Sequence, residues 1–197
     1  MSSSKALLGC WLLVAPLLVQ AEESVAAAGE PIEIEGLNLT RTLDCQGRDV
    51  SLSGEGNTLT LKGQCGEVTV YGSHHRLILD SAQSLDIHGL GSVTTVKGAV
   101  AKLSVGGGYQ QVQANVRGGS EGLAKVDAYG YGARVRLTLL SQADIAVGGS
   151  NQQVYWSRAA GVAEPKTLVS GADNVLQANQ SVAAITGGDA SGMNATR

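Results

Sequence analysis

The chain has 197 residues, 43% of them hydrophobic, which is enough for the core of one ordinary domain. Glycine supplies 27 residues, phenylalanine none and all aromatics together 4%, a balance that argues against a helical bundle, which would draw on Leu, Ala, Glu and Lys. Fourteen basic residues against 17 acidic ones give a net charge of -3, which argues against a nucleic-acid binder, and a charged fraction of only 16% argues against disorder.

At the N-terminus Lys5 precedes an apolar run from Ala6 to Val19, interrupted by Pro16, and Val19-Gln20-Ala21 then offers small residues before Glu22-Glu23. This is the layout of a secretory signal peptide, with residues 1–21 removed by cleavage after Ala21. Such a run is too short for a stable membrane span, so none is expected after cleavage. A lipid-attachment reading of Leu7-Leu8-Gly9-Cys10 is weaker, because there the apolar run should precede the cysteine and here it follows. The mature protein is expected in a periplasm or outside the cell. Two cysteines remain, Cys45 and Cys65, and an exported pair is expected to form one disulfide. Two thiols with no flanking ligand are half of a metal site, and neither has a base nearby to activate it.

From Asp49 onward a thirteen-residue unit recurs, apolar at places two, four, eleven and thirteen, with glycine at six. It begins at Asp49, Glu67, Ser84, Lys102, Lys125, Asp144 and, more loosely, Lys166, and aligns Gly54, Gly72, Gly89, Gly107, Gly130, Gly149 and Gly171. At the apolar places 26 of 28 residues are apolar, Thr94 and Thr167 being the exceptions, against 8 of 35 at places one, three, five, ten and twelve. Random placement would give about 12 and 15, so the alternation is real and predicts short strands with one buried face. One unit cannot bury that face alone. Stacking successive units about 4.8 Å apart does so. The expected fold is therefore all-β, a parallel β-helix (β-solenoid) of about seven coils of 17–23 residues, forming a rod about 30 Å long. A β-sandwich is the alternative, but it gives no reason for one glycine to return at the same place in seven units.

Residues 22–44 read as an N-terminal cap or degenerate coil, in which Ile32, Ile34 and Gly36 fit the repeat and Arg41 stands at a core place. Residues 45–178 form the repeat domain, and residues 179–197, rich in Ala, Gly, Ser and Asn, a flexible tail. Cys65, Ala82, Val100 and Leu123 suggest a short third side, and the insertions Asn115–Ala124 and Ser157–Pro165 are expected as loops.

Cys45, the run SLSGEGNTLTLKGQC ending in Cys65, and the recurring x-V-x-V-x-G-x-x-N-x-V unit resemble the bacterial domain-of-unknown-function family 3060. The resemblance runs from about Cys45 to Ala178 and implies an exported, glycine-rich repeat protein; it brings no activity and no catalytic residue to carry over. His75, Ser92, Gln110, Ala133 and Gln152 stand where that unit has asparagine, so an asparagine column is expected to be interrupted.

Stacking turns outward places into columns. Tyr71, Asp86, His88, Asp127 and Tyr129 fall on one face and are the candidate ligand-binding residues, since aromatics and carboxylates on such a face can hold a sugar. Asp86 and Asp127 should lie two coils apart, roughly 10 Å, with no basic residue between them, so a solvated, uncommitted face is the simpler reading of this pair. The reading is a non-enzymatic structural or binding protein of the bacterial envelope, with no catalytic residue, metal or cofactor; a carbohydrate-binding or carbohydrate-active β-helix using Asp86, His88 and Asp127 is the alternative. The expected partners are an envelope glycan or protein, or further copies meeting through the coil ends. His74 and His75 read as solvent-exposed turn residues, and Arg76, Arg134 and Arg136 as a strip that keeps the sheet soluble. The glycine runs at 105–108 and 118–122 lack the G-K-[ST] of a phosphate loop.

Overall fold

The computed structural model describes residues 29–119 and 122–179; the expected signal peptide and all of the expected tail except Asn179 lie outside them. The chain winds through eight coils as a parallel β-solenoid, with every strand pairing in parallel with its equivalent in the next coil. Coil 1 holds β1 (Ile32–Leu37) and β2 (Thr40–Asp44), and β3 (Val50–Glu55) opens coil 2. Two long strands turn corners, β4 (Thr58–Ser73) from coil 2 into coil 3 and β5 (Arg76–Leu90) from coil 3 into coil 4. β6 (Val93–Val96) completes coil 4, and β7 (Val100–Val105) with β8 (Gln111–Val116) form coil 5. Coils 6 to 8 follow as β9 (Ala124–Ala128) and β10 (Arg134–Leu139), β11 (Ala143–Val147) and β12 (Gln153–Arg158), then β13 (Lys166–Val169) and β14 (Val175–Ala178). The sandwich alternative is thereby excluded.

The register is the one the repeat predicts. Ile32, Val50, Val68, Leu85, Leu103, Val126, Ile145 and Thr167 lie over one another along the first side. Arg41, Leu59, Leu77, Thr94, Val112, Val135, Val154 and Leu176 do so along the second. Leu52, Val70, Ile87 and Val105 are fully buried, so strand alternation delivers one apolar column per inward place. Coil 1 is a true coil in register with coil 2, and Arg41 is exposed on this first coil of the described residues. At the other end Thr167, Val169 and Ala178 are exposed, because no ninth coil follows among the described residues.

The corner glycines form a second column. Each from Gly54 to Gly171 has φ between +82° and +136°, and a Cβ on it would run into the carbonyl oxygen of the glycine one coil earlier. Both the left-handed backbone and the close approach exclude a side chain, which explains why this place alone never varies along the chain.

Three places from each glycine, at the buried inner side of the corner, a polar column replaces the apolar ones. The Leu39 N–H donates to Asn57 Oδ1 (2.8 Å), the Asn57 N–H to His75 Nδ1 (3.2 Å), the His75 N–H to Ser92 Oγ (3.1 Å) and the Ser92 N–H to Gln110 Oε1 (3.0 Å). The Ala133 N–H donates to Gln152 Oε1 (3.1 Å) and the Gln152 N–H to Asn174 Oδ1 (2.9 Å). The asparagine column is thus interrupted in residue type but continued in chemistry, since any short side chain with an acceptor serves. It breaks only at Ala133, which has none. His75 corrects the expectation of an exposed turn: it is 1% exposed, and because Nδ1 accepts, its Nε2 carries the hydrogen and donates to the Tyr71 carbonyl (3.0 Å). His74 is exposed, as expected.

Cys45 and Cys65 form a buried disulfide between neighbouring coils, with Cα atoms 4.9 Å apart. Closing a loop of this length in the unfolded chain is worth about 3 kcal/mol, and it fixes the first coils. Cys65, Ala82 and Val100 continue in register as the short third side. Leu123 does not join them. It is half-buried, and Val116 pairs with Val100 in its stead because β8 runs on past the expected loop start. β10 and β12 are lengthened in the same way, so the loops begin at Arg117, Leu140 and Ala159. The third side thus gains buried Val116 and Leu139.

Candidate functional site: an outward aromatic column

Outward places three and five become columns as expected. Thr69, Asp86, Ser104, Asp127 and Ala146 share one, and Tyr71 and His88 are direct neighbours in the next. The Tyr71 and His88 rings stack nearly parallel, with centroids 5.6 Å apart and 12° between planes. Coil 5 places Gly106 in this column, and a Cβ there would meet His88 Nδ1 at 2.7 Å and the Tyr129 ring at 2.8 Å. The missing side chain lets Tyr129 of coil 6 lean across to His88, giving a centroid distance of 5.8 Å and a tilt of 55°. The Tyr129 hydroxyl lies 3.3 Å from the imidazole nitrogens.

Asp86 sits beside the column with Oδ1 2.8 Å from His88 Nε2. The structure therefore brings Tyr71, Asp86, His88 and Tyr129 into one contiguous group. Asp127 stands two coils from Asp86 across Ser104 and forms no ion pair among the described residues. The histidines do not converge: His74 points to Glu55 (3.6 Å), His75 points inward and His88 lies on the outer face. Among the described residues no three His, Cys, Asp or Glu side chains group as metal ligands. On the second side Arg76, Gln111, Arg134 and Gln153 form one column with Val93 between the first two, and Arg134 donates to Gln153 Oε1 (3.2 Å).

One aromatic pair has no counterpart among the expectations. Tyr109 and Tyr131, just past the corner glycines of coils 5 and 6, meet edge to face with centroids 5.3 Å apart. Tyr109 has φ +56°, a conformation rare for an aromatic residue, and the Tyr131 charge, then burial and the hydrogen bond between the two, hold its hydroxyl above the usual 10. The signal was present in the sequence as two tyrosines one and two places after a repeat glycine, where other coils mostly carry Gly, Ser, Asn or Asp.

Coil upon coil in register, with a cystine at one end and sparse aromatics along an outer face, the protein is a small disulfide-locked β-solenoid. Residues 52–108 match the family described as "Protein of unknown function (DUF3060)". The resemblance carried by the Cys45–Cys65 segment and its repeats is borne out over that span, which is shorter than Cys45–Ala178. No curated protein and no solved structure matches the chain. No helix among the described residues is long and apolar enough to cross a membrane.

Proposed function

We propose that the mature chain is an exported, non-catalytic protein of the bacterial envelope or medium, a rigid rod that presents outward side-chain columns for binding. The buried Cys45–Cys65 disulfide supports an oxidising compartment, and the N-terminal layout supports cleavage after Ala21. One observation carries the binding role: three outward rings, Tyr71, His88 and Tyr129, meet in one group, with Asp86 against the imidazole. Aromatic rings beside a carboxylate favour a sugar ligand, and an envelope glycan is the partner this chemistry suits best.

The Asp86–His88 contact also favours a second reading, a carbohydrate-active solenoid with Asp86, His88 and Asp127 as its polar groups. A glycan array run beside a reducing-sugar assay separates the two. Retention without turnover, weakened in Tyr129→Ala, supports the binding module. Turnover that disappears in Asp86→Ala supports the enzyme.

A further inference from the structure

The outer face has a step in it. Coil 6 carries three bulky outward groups, Asp127, Tyr129 and Tyr131. Register sets against them in coil 7 only Ala146, Gly148 and Ser150. Tyr129 leans the other way, back over Gly106 to His88, so its ring leaves coil 7 clear. A Cβ built on Gly148 would meet nothing nearer than the Ser170 hydroxyl at 3.4 Å. Beside it, over Ala146, a hollow of about 300 Å³ opens between Lys125, Asp127, Asp144, Lys166 and Leu168. Next to Gly148 and Ser150 in register, Tyr129 and Tyr131 remain 41% and 45% exposed.

We propose that this step seats a pyranose ring of a glycan, an assignment that rests on the carbohydrate-binding reading and moves its centre from coils 3 and 4 to coils 6 and 7. The two tyrosines offer an apolar wall for the C–H face of a sugar. The Asp127 carboxylate, on the rim of the hollow, stands ready to take ring hydroxyls, and Gly148 leaves room for the ring to come close to the backbone. Two lysines and two aspartates around the hollow balance in charge, which suits a neutral ligand over an ion.

The test is titration calorimetry of the full mature chain with maltohexaose, cellohexaose and chitohexaose. Gly148 lies outside the left-handed region, so Gly148→Leu fills the step without backbone strain and should melt like wild type. It is expected to weaken the bound probe at least about tenfold, with Tyr131→Ala weakening it to a similar degree and Tyr71→Ala little. Should Gly148→Leu not fold, Tyr131→Ala and Asp127→Asn, at exposed positions, carry the same test. Wild-type affinity in those step variants combined with loss in Tyr71→Ala overturns the step and leaves the glycan reading standing. Failure of all three probes to bind wild type overturns both.

Discussion

Two columns of single residues, one of glycines and one of buried polar side chains, run along the corners of the rod. The corner glycines are excluded from change twice over, by a left-handed backbone and by the carbonyl of the coil below. Gly107→Ala is therefore expected to cost more than about 2 kcal/mol in urea unfolding, while Gly148→Ala, which has neither constraint, stays close to wild type. The buried polar column gives the opposite kind of test. Asn57 and Asn174 use both ends of their amides, Asn174 Nδ2 donating to the carbonyls of Gly149 (3.0 Å) and Ser170 (2.6 Å). Gln110 and Gln152 are one methylene longer, and their buried Nε2 atoms find no protein partner. Gln152→Asn should consequently stabilise the fold by about 1 kcal/mol, measured as a raised urea midpoint at unchanged slope. Tyr131 beside it holds the Tyr109 hydroxyl above its usual value. Because the folded state holds the Tyr109 proton more tightly than the unfolded chain, its contribution to stability is present below about pH 10 and is lost as pH rises further. In a spectroscopic alkaline titration Tyr131→Phe should bring the Tyr109 phenolate in at lower pH.

At the scale of the strand and the coil, the repeat was legible because alternation and a fixed glycine are each imposed by one force, burial of one face in the first case and backbone contact in the second. Val68, Leu85 and Leu103 could be placed over one another from spacing alone, and so could the pairing of Tyr71 with His88. What failed to show was whatever depends on the turn between strands. His75 reads as polar and therefore external, but at that corner the inward place needs an acceptor for a buried N–H, so a polar side chain is the internal one. Leu123 looked like a core residue by distance from the next strand, whereas lengthened β8 had already supplied Val116 to that side. The lean of Tyr129 over Gly106 was equally hidden, since the alternation describes a side chain's facing and not its tilt along the rod.

For the whole molecule the two ends matter most, because a parallel solenoid leaves an unpaired edge at each. At the N-terminal end the disulfide ties coils together and Arg41 occupies a place that elsewhere is apolar with one exception, Thr94. A charge pointing toward the end of the core opposes the stacking of another copy there. Arg41→Leu should accordingly raise self-association, read as a sedimentation coefficient that climbs with protein concentration while the wild type changes less. An identical concentration dependence in both would show that Arg41 has no such role.

The strict register between neighbouring coils also makes length an adjustable property of this protein. Ser84 and Lys102 are equivalent positions, so excising residues 85–102 would set Leu103 directly upon Val68 and join the chain with no new kind of contact. A rod one storey shorter by about 4.8 Å should still melt as a cooperative unit, at lower stability, since each storey leans only on the one above and the one below. The cystine and the Tyr109–Tyr131 pair would survive that shortening, whereas His88, against which Tyr129 leans, would be lost with the excised segment.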